Sequence, residues 1–145
     1  MMEDELYNTY SFLLNRTARR VKQFAQKRFK ELSFGITVDQ WALLKALYEK
    51  EALTHSELAK LTFKDSPTLT RIINLLEEKE LVQREADSQD RRKQLVRLTE
   101  AGLAKVEELK PQVALIRKKA WDKLSPADFE HFKTVLDTIY KNLEG

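Results

Sequence analysis

A short segment around position 70 carries small hydrogen-bonding side chains and one arginine in a helical pattern. Its apolar residues stand at i, i+3, i+4 and i+7, which predicts a helix from Pro67 to Lys79 with one buried face: Leu69, Ile72, Ile73 and Leu76. The opposite face holds Pro67, Thr70, Arg71 and Asn74, with Thr68 beside the first turn. Ser66 before Pro67 predicts an N-cap followed by a proline at the first helical position. Hydroxyl, amide and guanidinium groups near a helix start can contact base edges and phosphates in a major groove.

A second segment, DSQDRRKQLVRLTEAG from Asp87 to Gly102, carries three consecutive cations, Arg91, Arg92 and Lys93. Short apolar runs on either side predict two strands, over 81–84 and 95–98. The loop between them is longer than a tight hairpin needs. Two interpretations follow: a solvated hairpin turn, or a wing that touches nucleic acid.

The elements that must position these segments are mainly helical. One long helix is predicted from Glu3 to about Leu32, and the capping boxes that begin at Thr37 and Thr54 start two more. After the two strands, Thr99 starts a long helix and Ser125 starts the last one. The predicted order is therefore four helices, two strands and two helices. The first and last helices have apolar faces without a partner in the central unit, so we expect them to pack together and form a dimer interface.

Composition excludes several classes of function. The chain has 145 residues with a formal net charge of +3, which fits one domain and permits a polyanionic partner without requiring one. It has no cysteine, which rules out disulfides, thiolate metal sites and cysteine-based redox sensing. Its two histidines are far apart, so no metal or cofactor is expected. No apolar run approaches the roughly 20 residues that span a bilayer, and the acidic start does not resemble a signal peptide. We expect a cytoplasmic protein that does not bind membranes.

Three side chains or faces have more than one interpretation at this level. Seven cations and no acid lie between Arg16 and Lys30, which suits a solvated helix face, an acidic patch of a partner subunit, a ligand carboxylate or DNA phosphate. Trp41 fits the core or a ligand-stacking position. Arg71 fits a guanine contact or a phosphate contact. Arg16 and Trp41 suit an aromatic acid, but no motif places them in a pocket, so no ligand-binding residue is assigned.

Two stretches together resemble the MarR family of winged-helix transcription regulators, and the resemblance extends along essentially the whole chain. The first is SELAKLTFKDSPTLTRIINLLEEKELVQR, from Ser56 to Arg84. The second is DRRKQLVRLTEAG, from Asp90 to Gly102. It matches the family's wing pattern of Asp, any residue and Arg, then Leu-Thr-x-x-Gly after a short strand. The matching positions are Asp90, Arg92, Leu98, Thr99 and Gly102.

The resemblance implies a homodimer that binds a pseudo-palindromic operator in double-stranded DNA. Each subunit would place the helix from Pro67 in a major groove and Arg92 in the adjacent minor groove, and Asp90 would hold that arginine by an ion pair. It also implies a repressor that a small aromatic or phenolic ligand releases from DNA. That ligand would bind between the dimerisation helices and the DNA-binding lobe. The expected fold is mainly α with a small β-wing.

The expected organisation is a single domain over 1–145, in which 1–34 and 99–145 are dimerisation helices and 35–98 are the winged helix-turn-helix lobe. The expected DNA contacts are Ser66, Pro67, Thr68, Thr70, Arg71, Asn74, Asp90, Arg91 and Arg92. The alternative is a winged-helix module that binds only proteins. We expect no enzyme, because the sequence shows no nucleophile–base pairing, phosphate-binding glycine loop or ligand cluster.

The chain departs from the family pattern at Glu80, where glycine is common. A helix end at this place favours a left-handed backbone, which a non-glycine residue adopts at a cost on the order of 1 kcal/mol. The absence of cysteine also separates this chain from family members that sense peroxide through a cysteine.

Overall fold

The computed structural model describes residues 2–145, with side chains from residue 5 onward, and consists of six helices and three short strands in that range. Met1, the first residue of the expected domain, lies outside the described residues. The elements in chain order are α1 Met2–Glu31, α2 Val38–Lys50, β1 Ala52–Thr54, α3 His55–Thr62, α4 Ser66–Glu78, β2 Val82–Ala86, β3 Gln94–Leu98, α5 Glu100–Lys119 and α6 Pro126–Asn142. The expected fold class, mainly α with a small β-wing, is confirmed.

The sheet has one strand more than the sequence pattern predicted. Its order is β1-β3-β2, with both pairs antiparallel. The additional strand, β1, is three residues long and pairs Leu53 with Val96, and both side chains are buried. Such a short strand shows almost no alternation of apolar and polar residues, and its partner is more than forty residues away in the sequence. It therefore ties the start of α3 to the base of the wing.

The core lies between the sheet and helices α2, α3, α4 and α5. The four apolar residues predicted on the inner face of α4 are all buried. Leu44 of α2 and Leu58 of α3 are fully buried in the same core. Each such side chain contributes roughly 1.5–3 kcal/mol relative to an exposed position. Trp41 is also buried, at 3% exposure, so its place is in the core.

The turn from α4 into β2 explains the Leu-Thr-x-x-Gly segment in physical terms. Glu80 has a φ of 60°, so the left-handed backbone expected at this position is present without glycine. The Thr99 hydroxyl donates to the Glu80 carbonyl at 2.6 Å and accepts from the Gly102 N–H at 3.0 Å. A Cβ on Gly102 would lie 2.0 Å from the Leu81 carbonyl oxygen. Only glycine lets α5 approach this turn so closely.

The terminal helices differ from this core. Helix α6 buries none of its side chains, and residues 5–24 of α1 are exposed. Much of this surface is nevertheless apolar. Exposed apolar side chains on these two helices include Leu6, Tyr7, Tyr10, Phe12, Leu13, Phe129, Phe132, Val135 and Tyr140. Apolar surface of this extent is typical of an interaction face.

Candidate nucleic-acid interface

Helix α4 begins one residue earlier than the sequence pattern predicted. Its N-cap is Asp65, so Ser66 stands at the first helical position and Pro67 at the second. The Asp65 carboxylate accepts from the Thr68 N–H at 2.8 Å and from the Thr68 hydroxyl at 3.0 Å. The bond from the Thr68 N–H lowers the pKa of Asp65 most, since it favours the charged form. The prediction of Ser66 as N-cap is wrong, because a carboxylate with two acceptor oxygens satisfies more of the helix start than one hydroxyl.

The outer face of α4 brings together most of the predicted contact residues. Ser66, Pro67, Thr70, Arg71 and Asn74 are exposed, and Thr68 is half-buried. All of them lie within the first three turns of the helix. This arrangement presents hydroxyl, amide and guanidinium groups on one convex surface, which is the geometry that a major groove accepts.

His55, at the first position of α3, holds one of these side chains in place. Its Nε2 lies 3.1 Å from the Thr70 hydroxyl oxygen, and that hydroxyl lies 3.0 Å from the Ser66 carbonyl oxygen. Because the carbonyl can only accept, Thr70 donates its single hydroxyl hydrogen to it. The His55 Nε2 therefore carries a hydrogen and donates to Thr70. Sequence reasoning gave His55 no role, since fifteen residues separate it from Thr70.

Arg84 of β2 holds a second side chain of the same face. Its guanidinium donates to the Asn74 side-chain oxygen at 2.6 Å and to the Glu77 carboxylate at 2.8 Å. Sequence reasoning had placed Arg84 only at the end of a strand. Arg84 and Asn74 are ten residues apart, so no helical or strand periodicity would have indicated this contact.

The wing consists of β2, β3 and the loop over residues 87–93. Backbone hydrogen bonds close the loop, from the Asp87 N–H to the Lys93 carbonyl and from the Lys93 N–H to the Asp90 carbonyl, each at 3.0 Å. The side chains of Asp87 and Asp90 accept from the N–H groups of Gln89 and Arg92, also at 3.0 Å. Local turns of this kind hold the loop in shape without a large side-chain core. Arg91, Arg92 and Lys93 are exposed at its tip.

The prediction of an Asp90–Arg92 ion pair needs correction. Within the described residues, the ion pairs do not include one between these two side chains; Asp90 instead accepts from the backbone N–H of Arg92. Position i to i+2 favours this local bond, because the carboxylate reaches the backbone with little loss of side-chain freedom. The Arg92 guanidinium therefore remains available to a partner.

Helix α4 is fixed to the rest of the chain through the first turn of α2. Lys64, just before α4, contacts the Asp39 carboxylate at 2.7 Å, and Lys22 of α1 contacts the same carboxylate at 3.0 Å. Partial burial alone would raise the pKa of Asp39, but the hydrogen bonds and charges of Lys64 and Lys22 outweigh it and lower that pKa. At the other end of α4, Lys79 donates to the Gly35 carbonyl and to the buried Gln40 side chain. Both ends of α4 are thus joined to α2 or to the loop before it, and Asp39 also joins the first of these contacts to α1.

A cavity of about 830 Å³ lies between α1 and α5. Its walls combine cationic side chains with apolar ones: Arg16, Arg20, Arg117, Lys119, Val21, Phe24, Ala25, Ile116, Ala120 and Trp121. Part of the cationic face of α1 therefore borders a cavity rather than open solvent alone. The lysine and arginine at 22 and 28 instead pair with Asp39 and Glu31. Trp41 borders a different groove, between α2 and α5.

Comparison with known proteins agrees with this geometry. The family model described as MarR family matches residues 36–94, which hold α2 to the start of β3. The organic hydroperoxide resistance transcriptional regulator of Bacillus subtilis (strain 168) is 30% identical over 150 residues. That alignment covers 96% of this chain and 92% of the relative.

Two solved structures are similar over most of their length. The S. aureus MepR–DNA complex has a TM-score of 0.81 at 29% identity and covers 92% of this chain and 98% of that chain. Bordetella bronchiseptica BpsR, whose DNA binding is regulated by 6-hydroxynicotinic acid, has a TM-score of 0.82 at 29% identity. The match covers 90% of this chain and 92% of the BpsR chain. In the described part of the chain, no helix is both long and apolar enough to cross a membrane.

Proposed function

Because the chain belongs to the MarR family of DNA-binding transcription regulators, we propose that it is a homodimeric repressor of a pseudo-palindromic operator. Members of this family bind DNA and are not enzymes. The observation that carries the proposal is the exposure of the α4 face and the wing cations on one lobe, whose core buries the inner face of α4 and the base of the wing at Val82 and Val96. The proposed organisation is a lobe over 35–98 that contacts DNA, with helices over 1–34 and 99–145 that join two copies.

The proposed DNA contacts divide by chemistry. Thr68, Thr70, Arg71 and Asn74 would face the major groove, where hydrogen bonds to base edges discriminate sequence. Ser66 would donate its hydroxyl to a phosphate, with Pro67 in contact beside it, since the Asp65 carboxylate already accepts from an N–H at this helix start. Arg92 would enter the minor groove with Arg91 beside it. Asp90 would act indirectly, by fixing the backbone of Arg92.

The proposed partner of the terminal helices is a second copy of this chain. Support comes from the apolar side chains of α1 and α6 that the chain itself leaves exposed. Two-fold symmetry would place two copies of α4 one helical turn of DNA apart, about 34–36 Å, which suits adjacent major grooves.

The proposed effector is a small aromatic or phenolic acid. The α1–α5 cavity supports this, because it offers arginines for a carboxylate and aromatic side chains for a ring. BpsR provides a further reason, since 6-hydroxynicotinic acid regulates its DNA binding. A ligand here would push α1 relative to α5, and Lys22–Asp39–Lys64 would carry that movement to α4. The chain has no cysteine, so thiol oxidation is not the proposed signal.

A binding titration with the DNA upstream of the protein's own gene tests this function. Specific binding is expected to weaken steeply with salt, by on the order of 10³-fold between 50 and 200 mM if about six phosphates are contacted. A shuffled duplex of equal length and composition is the control. Equal affinity for both duplexes, or no salt-sensitive binding to promoter DNA, would favour a module that binds only proteins. Adding 6-hydroxynicotinic acid to the same titration tests the effector.

A further inference from the structure

Arg84 lies on the face of the sheet that points into the lobe. In the register of β2 with β3, Arg84 is opposite Val96 and Val82 is opposite Leu98. Directly paired residues share a face, and Val82 and Val96 are both buried. The Arg84 side chain therefore runs along the edge of the core toward α4, and it is only 27% exposed.

At the end of this side chain, the guanidinium binds two residues of α4 that are three positions apart. One nitrogen donates to the Glu77 carboxylate and the other to the Asn74 side-chain oxygen. A guanidinium has hydrogen-bond donors only, so the Asn74 atom that faces it must be the amide oxygen and not the amide nitrogen. This fixes the orientation of the Asn74 amide, and its NH₂ group is the end left for a partner.

This orientation changes what Asn74 can recognise. An asparagine that reads adenine accepts from the adenine amino group and donates to N7 at the same time. Here, the guanidinium already occupies one lone pair of that oxygen, so an adenine amino group could use only the second and would stand beside a charged donor that repels it. Guanine presents only acceptors, O6 and N7, at the corresponding edge. Those acceptors would attract both the Asn74 NH₂ and the neighbouring charge of Arg84.

We propose that Arg84 is a specificity-determining residue: its fork onto Asn74 and Glu77 makes this position of α4 prefer guanine over adenine. The inference rests on the proposed function, in which α4 enters the major groove. Arg84 acts here as a positioning residue, through Asn74, and needs no contact with DNA of its own.

The test measures base preference rather than affinity alone. Duplexes carrying each of the four base pairs at every position of one operator half-site are titrated with the wild-type dimer, Asn74→Ala and Arg84→Met. Arg97→Met is the matched control, because Arg97 lies on the opposite face of the same sheet and pairs with Glu85. Circular dichroism and gel filtration establish that each variant is folded and dimeric.

Asn74→Ala identifies the base position that Asn74 contacts. At that position the wild type should prefer guanine over adenine by roughly tenfold, and Arg84→Met should abolish this ratio while other positions keep theirs. Arg84→Lys, which retains a donor to Asn74, should restore it, and Arg97→Met should leave all ratios unchanged. An equal loss of affinity for every duplex in Arg84→Met would overturn the inference and leave Arg84 as a brace only.

A wild-type preference for adenine at that position would also overturn the inference, and this measurement needs no variant of Arg84. The same holds if Asn74→Ala leaves every base ratio unchanged. In either case the wild-type protein can still bind some duplexes more tightly than others, and the proposed function is then retained. Only a wild-type protein that shows no base preference at any position of the operator would count against both the inference and the proposed function.

Discussion

Helices α4 and α6 both carry apolar side chains at helical spacing, but the rest of the chain buries only those of α4. Leu69, Ile72, Ile73 and Leu76 of α4 are buried under α2, α3 and the sheet. Helix α6 buries no residue, and Phe129, Phe132 and Val135 are each more than 40% exposed. The same sequence pattern thus has two outcomes. An apolar face that packs within the lobe becomes part of the core, whereas the apolar face of α6 is covered only in part within a single copy, for example by Trp121 against Phe129 and Phe132.

The difference between the two regions also concerns polar contacts. The lobe fixes α4 at both ends, through Lys64 and Lys79, and in the middle through Arg84. Helix α6 has the weak pair of Lys133 with Asp137, at 3.6 Å, within its own turn. We interpret the lobe as a rigid unit that presents α4, and the terminal helices as the part whose arrangement depends on a second copy.

The largest expected effect comes from placing charge on the apolar face of α6, at Leu136 and Ile139, which are half-buried in a single copy. Leu136→Asp together with Ile139→Asp should weaken dimerisation about 1000-fold or more, because burying unpaired carboxylates costs several kcal/mol in all. Operator binding should be lost with it. Light scattering after gel filtration measures the oligomeric state. Thr134→Asp, on the polar face of the same helix, is the control and should remain dimeric; a double variant that also stays dimeric would contradict the proposed interface.

The next largest effect tests how tightly the lobe is packed. Gly102→Ala should destabilise the fold by about 3 kcal/mol or more, because the added methyl group would collide with the Leu81 carbonyl. The sign of the change in the free energy of unfolding is informative, because replacing glycine by alanine inside a helix is otherwise stabilising by about 1 kcal/mol. Urea unfolding measures the change. Gly145→Ala has open space around it and should be neutral; a Gly102→Ala variant as stable as this control would refute the close packing.

A smaller effect is expected at the tip of the wing, which we propose binds DNA and which contributes little to packing. Arg92→Ala should weaken operator binding by about 1–3 kcal/mol and leave both stability and the dimer unchanged. Fluorescence anisotropy with a labelled operator measures the affinity. Lys141→Ala is the control, because it also removes one positive charge but lies on α6, outside the wing. If both variants bind equally well, Arg92 has no place in the mechanism.

The smallest effect concerns the tie between α1 and the lobe. Asp39→Asn should cost about 1 kcal/mol at neutral pH, since the Asp39 side chain is 34% exposed and solvent screens its two lysines. The pKa of Asp39 is lowered by folding, so the stabilisation is present above the ordinary value of 3.8 and disappears as pH falls through the folded pKa. Urea unfolding of both proteins at pH 6 and at pH 3 should therefore show a smaller difference at pH 3 than at pH 6. A difference that is constant with pH would mean that charge is not its cause.

Local signals in the sequence were sufficient for most of the fold. Capping boxes at Thr37 and Thr54 are both present in the structure, and the left-handed backbone at Glu80 follows from the helix end. The sequence predictions were wrong or incomplete where a feature depends on a distant residue, or where two neighbouring residues suit the same role. Strand β1 depends on a distant partner, Val96. Asp65 and Ser66 are adjacent residues that both suit an N-cap, and only the three-dimensional structure distinguishes them.

The candidate site shows the same division. Helical periodicity was enough to group Thr70, Arg71 and Asn74 on one exposed face. It could not indicate that His55 and Arg84 hold two of these side chains, because hydrogen bonds between separate elements follow no period. Nor could it decide whether Asp90 pairs with the side chain or the backbone of Arg92, since both lie within reach of the same carboxylate.

The most direct test of the central claim is a dimethyl sulfate footprint of the wild-type protein on its operator. This reagent methylates guanine N7 in the major groove and adenine N3 in the minor groove, so one experiment reports on α4 and the wing separately. We predict protection of guanine N7 at two places about one helical turn apart, with protection of adenine N3 beside each. Protection in the minor groove alone, or none at either groove under conditions where the complex forms, would contradict the account.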